Sequence, residues 1–329
     1  MFSHDIINII IDYVPYWQET KNSLEKIDWS RLSCNSGALP LLEKNVEKID
    51  WVSLSMNPNA VGLLEQNLEQ IKWCSLSLNP NAVHLLEKNL DRVDWYWLSR
   101  NPNAVHLLEQ NLDRVDFDWG YLSENPNAIS LLEKNLDRVD WEWLSGNPNA
   151  IHLLEKNLDR VDWLRLSGNP NAIHLLEKNL DRVDWSYLSR NPNAVGLLEK
   201  NQELIDWDFL SDNESAIRLL ESTDPNNLDW EYLSANTQAV GLLQKNMDMI
   251  DWHNLSDNPK AIHLLEKNLD LVDWRFLSRN PKAIHLLEKN LDQVDWGYLS
   301  ENPNIIKIIY NNIDNERIIN IIKSILYKL

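Results

Sequence analysis

Histidine and glutamate stand three residues apart at six places in the chain. This spacing puts both side chains on one face of a helix, where an imidazole and a carboxylate could hold a divalent metal ion. Gly, Ser or Arg replaces the histidine in five other copies of the same phrase, so a column of surface polar side chains is favoured over a metal site. We therefore expect no metal and no cofactor. The pairs are His84/Glu87, His106/Glu109, His152/Glu155, His174/Glu177, His263/Glu266 and His285/Glu288.

Aromatic side chains form a second recurring set, two residues after a repeated Asp-Trp. Variable exposed positions on a constant frame are how repeat proteins build recognition surfaces, and Trp and Tyr are favoured interface anchors. The alternative, given equal weight, is that these rings pack on the neighbouring repeat as extra glue. The eight predicted partner-binding residues are Trp97, Tyr121, Trp143, Tyr187, Phe209, Tyr232, Phe276 and Tyr298.

No group of residues resembles a catalytic site. The sequence has no Gly-rich phosphate loop, no nucleophile elbow and no His-Glu-x-x-His. Its carboxylates recur as copies, whereas an enzyme site needs unique neighbours that shift pKa values. We therefore predict that the protein is not an enzyme.

The elements that position these residues follow from a repeat of about 22 residues. Self-similarity at a short fixed period is typical of a solenoid, in which each unit buries its apolar face against its neighbours. The sequence predicts an all-α solenoid of thirteen repeats, whose path at about 10 Å per layer is on the order of 130 Å. The repeats start at Trp29, Trp51, Trp73, Trp95, Trp119, Trp141, Trp163, Trp185, Trp207, Trp230, Trp252, Trp274 and Trp296.

Each unit is expected to hold one α-helix and one short α- or 3₁₀-helix. Asn169-Pro170 is a favoured helix start, which predicts a helix running to about Asn179. Asp184 then caps the short helix of the next repeat. The recurring Trp is expected to be the main apolar filler between layers, and Asn179, inside the apolar arc, is expected to bond the following turn or coil in a ladder of equivalent side chains.

The repeats are expected to occupy residues 29–304, between helical caps at residues 1–28 and 305–329, because a stack must close its ends. The net charge of −19 is spread through the repeats and mixed with cations, which argues against binding a polyanion. Two cysteines at non-equivalent positions, no secretory signal and no run of about 20 apolar residues predict a soluble intracellular protein that is not secreted and contacts no membrane.

The repeat core, Leu-Ser-x-Asn-Pro-Asn-Ala-x-x-Leu-Leu-Glu, resembles the leucine-rich-repeat variant family. That resemblance implies alternating α- and 3₁₀-helices in a right-handed superhelix, although unit length, the Asp-Trp start and the missing clustered cysteines depart from it. The longer phrase DWxxLSxNPNAIHLLEKN resembles uncharacterised tandem-repeat proteins of giant DNA viruses, which implies the host cytoplasm or the virion but no known activity. Residues 2–16 also resemble the first helix of an F-box, a ubiquitin-ligase adaptor motif.

Four candidate functions follow from these observations. We expect a non-enzymatic scaffold, monomeric or self-associating, that binds an unknown host or viral protein along its aromatic stripe. A structural part of a virion and an F-box-like adaptor are alternatives. Binding of single-stranded nucleic acid through stacked aromatics is another, weakened by the lack of a basic groove.

Overall fold

The computed structural model describes residues 23–113 and 117–309, and this part of the chain contains helices and no strand. The predicted all-α solenoid of thirteen repeats is confirmed. We number the repeats 1 to 13 by their Trp and call the helix that starts at this Trp the A helix. The A helices are Trp29–Cys34, Trp51–Met56, Trp73–Ser77, Trp95–Leu98, Trp119–Glu124, Trp141–Gly146, Trp163–Gly168, Trp185–Arg190, Trp207–Ser211, Trp230–Ala235, Trp252–Asp257, Trp274–Arg279 and Trp296–Leu299.

A second short α-helix, the B helix, follows in each repeat. The B helices of repeats 1 to 12 are Leu39–Leu42, Val61–Glu65, Val83–Glu87, Val105–Gln110, Ile129–Glu133, Ile151–Lys156, Ile173–Glu177, Val195–Glu199, Ile217–Ser222, Val240–Lys245, Ile262–Leu265 and Ile284–Leu287. In repeat 13, residues 305–309 are helical. The remaining short elements are the α-helix Ser23–Lys26 and the 3₁₀-helices Ser36–Ala38, Val46–Lys48, Leu68–Gln70, Leu180–Arg182, Gln202–Leu204, Glu214–Ala216, Pro225–Asn227 and Met247–Met249.

The A helices begin where the sequence predicts, because an aspartate caps them. In repeat 7 the Asp162 carboxylate accepts a hydrogen bond from the backbone N–H of Arg165 at 2.8 Å. The Ser167 hydroxyl closes the helix by donating to the Trp163 carbonyl at 2.7 Å. The same hydroxyl accepts from the backbone N–H of Asp184 at 3.0 Å, which ties the A helix of repeat 7 to the cap of repeat 8.

The B helices are shorter than predicted. In repeat 7 the helix covers Ile173–Glu177, whereas the sequence predicts a helix of roughly ten residues from Pro170 to about Asn179. The preceding residues form a turn instead, in which the Asn169 side chain accepts from the backbone N–H of Asn171 at 3.0 Å. The backbone carbonyl of Asn169 accepts from Ala172 at 3.1 Å, and Ala172 is the residue that precedes the helix.

The core is built from leucine and alanine, not from tryptophan. Leu166 and Leu176 are fully buried, as are their equivalents in other repeats. Trp163 is only half-buried, and of the thirteen repeat tryptophans only Trp95 and Trp141 are buried. The prediction that the indole is the main filler between layers is therefore wrong for most repeats, because these indoles pack against the buried core but stay partly exposed. The Arg182 guanidinium covers the Trp163 ring at 4.5 Å from its centroid.

A ladder of asparagines joins the repeats, but it is formed by a different Asn from the predicted one. The buried Asn169 side chain donates to the carbonyls of Ser145 and Asn147 in the preceding repeat, each at 3.0 Å. Asn179 instead donates to the Leu175 carbonyl of its own helix at 2.8 Å. The side-chain oxygen of Asn169 thus accepts a hydrogen bond within its own turn, and its side-chain nitrogen donates hydrogen bonds to the preceding repeat.

The stack closes into a ring, because repeat 1 contacts repeat 13 through the same bonds that join consecutive repeats. The Asn35 side chain donates to the carbonyls of Ser300 and Asn302 at 3.0 and 2.9 Å. The backbone N–H of Asp28 donates to the Ser300 hydroxyl at 3.1 Å. The Asn and Ser side chains that link consecutive repeats therefore make the corresponding bonds between repeat 13 and repeat 1. We call this junction the seam.

Residues 23–28 complete repeat 13. Helix Ser23–Lys26 packs on the A helix Trp296–Leu299, and the Lys26 ammonium lies 5.7 Å from the Trp296 ring centroid. Lys48 covers Trp29 at 5.1 Å in the same way in repeat 1. Residues 23–28 were assigned to an N-terminal cap from the sequence. The rest of both expected caps, including the F-box-like residues 2–16, lies outside the described residues.

The A helices form the inner wall of the ring. Among the described helices, consecutive A helices pack closely at all internal junctions except the one between repeats 4 and 5, whereas the B helices pack closely on elements of their own repeats. In a closed ring the more closely spaced elements must lie nearer the centre. With interaxial distances of about 8–10 Å, the axes of thirteen A helices lie on a circle roughly 35 Å in diameter. Subtracting one helix diameter of about 10 Å leaves an opening roughly 25 Å wide.

Candidate functional site

The eight predicted partner-binding residues lie on this inner wall. Each occupies the third position of its A helix, immediately before the buried leucine at the fourth position. Tyr187 and Tyr232 are the most exposed of the eight, at 45% and 40%. The other six are half-buried: Trp97, Tyr121, Trp143, Phe209, Phe276 and Tyr298.

The rings of consecutive repeats touch and form a ladder around the wall, which we call the aromatic ladder. Trp97 stacks on Tyr121 with the ring centroids 6.0 Å apart, and Tyr121 meets Trp143 edge-on at 6.4 Å. Tyr187 and Phe209 lie 6.4 Å apart in a tilted arrangement. The alternative interpretation, that the rings pack on the neighbouring repeat, is confirmed for these pairs, and each ring also stays partly exposed.

The ladder continues across the seam. Phe276 contacts Tyr298 at 5.7 Å, and the Arg31 guanidinium of repeat 1 lies 4.9 Å from the Tyr298 ring centroid. Arg31 also pairs with Glu301 of repeat 13. The ladder therefore reaches across the seam to Arg31, and it is interrupted in repeats 2 and 3, where Ser53 and Ser75 at the same position are buried.

Arginines extend the ladder, and sequence reasoning missed them. Where the fifth residue after a repeat Trp is Arg, its guanidinium covers the aromatic ring of the next repeat. Arg100 lies 5.3 Å from the Tyr121 ring centroid and Arg190 lies 4.8 Å from the Phe209 ring centroid. Arg279 lies between two rings, 4.6 Å from Phe276 of its own repeat and 6.0 Å from Tyr298 of the next. The signal in the sequence is an Arg 19 residues before an aromatic, or 21 where two residues are inserted.

Tyr187 is not covered in this way, because the corresponding residue of the preceding repeat is Gly168. A Cβ atom at Gly168 would meet only the Tyr187 ring, at an ordinary distance of 3.6 Å. A cavity of about 270 Å³ lies there, lined by Gly168, Tyr187, Arg190, Asn191 and Phe209. A smaller cavity of about 210 Å³ is lined by Arg100, Pro102, Tyr121, Glu124, Asn125 and Pro126.

Carboxylates and cations alternate on the wall around Tyr187. Arg190 pairs with Asp212 at 3.0 Å, which satisfies the only cation among the lining residues of the larger cavity. Asp208 and Glu231, the residues immediately after the Trp in repeats 9 and 10, are exposed. The sector of repeats 8 to 10 therefore presents exposed tyrosine rings among a surplus of negative charge.

The capping aspartate of repeat 12 shows how strongly the wall can hold a carboxylate. Asp273 accepts hydrogen bonds from Arg275 at 2.9 Å and from His253 at 2.9 Å. The Arg275 guanidinium, with help from His253, holds the pKa of the Asp273 carboxyl well below its usual range, although partial burial acts in the opposite direction. The His253 ring lies 3.9 Å from the Phe276 ring centroid and joins the ladder there.

The histidine–glutamate pairs form between repeats, not within one helix as the i, i+3 spacing predicts. His174 contacts Glu155 of the preceding B helix at 2.6 Å, and this hydrogen bond holds the pKa of the Glu155 carboxyl below its ordinary value. His84 and Glu65 form the same contact at 2.8 Å. In residues 23–113 and 117–309, no three His, Cys, Asp or Glu side chains gather as a metal site would require.

Comparison with protein-family models, curated proteins and solved structures finds no match to this chain. Among the described helices, none has the length and apolar character needed to cross a membrane. The inner wall is therefore interpreted from its own geometry.

Proposed function

We propose that the protein is a non-enzymatic binding ring that holds a polypeptide partner against its aromatic ladder. The observation that carries this proposal is the contrast within each A helix. The Asp, Leu and Ser residues form the caps, the core and the bonds between repeats, whereas the second residue after the Trp varies and in eight repeats is an exposed or half-buried aromatic ring. Half-exposed aromatic and Arg side chains are the groups that dominate protein–protein interfaces.

The experiment is selection from a displayed library of random linear peptides. The wild-type ring is expected to enrich a family of related peptides. The double variant Tyr187→Ala/Tyr232→Ala, which removes the two most exposed rings of the ladder, is expected to retain fewer than about a tenth of them, since such aromatic anchors carry most of the binding energy.

The matched control is Leu180→Ala/Leu204→Ala. These leucines are 40% and 43% exposed, so their exposed fractions match those of the two tyrosines. They belong to 3₁₀-helices outside the A helices. The control should retain the selected peptides. Equal loss in both double variants, or enrichment of no peptide by the wild type, contradicts the proposal.

A further inference from the structure

Resting on the proposed function, we infer that the cavity beside Tyr187 is a binding site for a basic side chain, arginine above all, carried on an extended polypeptide that runs along the aromatic ladder. The argument starts from what the protein does with its own arginines. In three repeats, a guanidinium from the preceding repeat lies over the ring at the ladder position. A guanidinium over an aromatic face is attracted by the ring quadrupole and also stacks on it.

Repeat 7 has the same backbone but lacks the arginine. Gly168 stands where Arg100, Arg190 and Arg279 stand in their repeats, five residues after the Trp. The result is the most exposed ring of the ladder, Tyr187, next to the cavity of about 270 Å³. A partner's arginine entering this cavity would take the place that the chain's own arginine takes elsewhere in the ring.

The charge of the surroundings favours a cation. Arg190, which also lines the cavity, is neutralised by Asp212 at 3.0 Å. Asp208 and Glu231 are exposed on the next two A helices, and the whole chain carries a net charge of −19. An anion would meet this negative field, whereas a Lys or Arg side chain is drawn to it.

The spacing of the ladder favours an extended peptide. Neighbouring rings lie 5.7 to 6.4 Å apart where they touch in repeats 4 to 6, 8 to 9 and 12 to 13. Alternate side chains of an extended chain are spaced by roughly 6.6 Å, so every second residue can face one repeat. A partner with basic residues at alternate positions would therefore place one of them at Tyr187, the next over Phe209 in the following repeat and a third near Tyr232.

The test uses a fluorescently labelled dodecapeptide of alternating Arg and Ser, with binding followed by anisotropy. The key variant is Gly168→Arg, which should fill the cavity with the chain's own guanidinium. Its control is Gly146→Arg, the same substitution at the same helix position one repeat earlier, where a Cβ meets nothing within 4 Å and the next ladder residue is Arg165. Both variants add one positive charge to the wall. Only Gly168→Arg places the new side chain beside an aromatic ring, that of Tyr187.

Gly168→Arg is expected to weaken peptide binding about tenfold, as is Tyr187→Ala, while Gly146→Arg changes it less than about twofold. Equal weakening by the two arginine variants would overturn the inference, since the peptide would then be responding to net charge alone. Failure of the wild-type ring to bind the Arg-Ser peptide would also overturn it. Tighter binding of a twelve-nucleotide oligothymidylate than of the peptide would assign the ladder to single-stranded nucleic acid instead.

The two proposals fail separately. If the library selection enriches peptides that depend on Tyr187 and Tyr232 but the Arg-Ser peptide does not bind, the ring is a peptide-binding protein and the assignment of a basic partner is wrong. If the selection enriches nothing, the proposed function itself is lost.

Discussion

A single glycine should decide whether the ring is closed. A Cβ atom at Gly37 would lie 2.3 Å from the Pro303 carbonyl oxygen across the seam, in contact with backbone that has no flexible end to move aside. Gly37→Val therefore requires the two repeats to separate by roughly 1 Å to reach ordinary van der Waals contact. The Asn35 bonds at 2.9 and 3.0 Å would then stretch to roughly 4 Å, beyond hydrogen-bonding distance.

The cost can be worked from the contacts that would be lost. Asn35 makes two hydrogen bonds across the seam and Asp28 makes one, and each contributes about 1 kcal/mol. The exposed pair of Arg31 and Glu301 adds about 0.5 kcal/mol at most. Gly37→Val should therefore disfavour closure by about 3 kcal/mol, which is more than a hundredfold in the ratio of closed to open rings.

The assay is crosslinking across the seam. Arg31→Cys and Glu301→Cys are introduced after both native cysteines, Cys34 and Cys74, are changed to Ser, and a short bismaleimide is added. The crosslink turns most of the chain into a loop, which migrates faster on a denaturing gel. The parent double-cysteine protein is expected to crosslink readily.

Gly37→Val in this background should abolish most of the crosslink and lower the midpoint of urea denaturation. Gly146→Val is the control, since a Cβ at Gly146 meets nothing within 4 Å. If Gly37→Val crosslinks as fast as its parent and unfolds at the same urea concentration, the reasoning about the seam is refuted. Absence of the crosslink in the parent protein would refute ring closure itself.

Three further predictions concern the frame that carries the ladder. Asn169→Ala removes two hydrogen bonds between repeats and should lower the free energy of unfolding, measured by urea denaturation, by about 2–4 kcal/mol. Asn179→Ala loses one hydrogen bond within its own helix and should cost less. A larger loss for Asn179→Ala than for Asn169→Ala would contradict the assignment of Asn169 to the junction. Leu166→Ala should cost about 2–5 kcal/mol, and Trp163→Ala less, because the leucine is fully buried and the indole only half-buried; equal midpoints would count against this burial. Asp273→Asn keeps a good cap but loses the charge, so it should destabilise by about 1–2 kcal/mol near neutral pH. The folded-state pKa of Asp273 is depressed, so the stability that its charge contributes is full above about pH 4 and is lost as the pH falls towards the folded-state pKa. The difference in the free energy of unfolding between Asp273→Asn and wild type should therefore narrow in acid. A difference that does not change with pH would exclude the ionic contribution.

Local features were predictable because they depend on nearby residues. An Asp before a short apolar segment caps a helix largely independently of its surroundings. In the structure the Asp162 carboxylate accepts the capping hydrogen bond from the backbone N–H of Arg165. The leucines of the repeat are buried as their periodicity requires. The ladder positions could be found by asking which residues vary while the frame stays constant.

The errors arose where two residues of one type compete for one role. Asn169 and Asn179 both recur in most repeats, and the apolar arc alone pointed to Asn179. The short turn formed by Asn169 brings its side-chain nitrogen to the preceding repeat, which the assumption of a longer helix concealed. The large apolar area of the Trp side chain suggests a core position. The Trp is, however, the first residue of a four- to six-residue helix, and in most repeats it is only partly buried.

Ring closure could not be predicted by reading one repeat. It depends on the rotation between neighbours, which is small at each junction and adds over all of them, so a change of a few degrees per junction separates a ring from an open superhelix. Gly37 was the only local clue, because the equivalent residue in every other repeat carries a side chain. That clue has meaning only once Pro303 is known to lie against it.

Completion of repeat 13 by residues 23–28 has a consequence for biosynthesis. Helix Ser23–Lys26, which carries Leu24, precedes all thirteen repeat tryptophans in the chain, yet the A helix that it packs on begins at Trp296, in the thirteenth repeat. Because a chain is synthesised from its N-terminal side, Leu24 is made well before this partner. The packing that completes repeat 13 can therefore form only after all thirteen A helices have been translated.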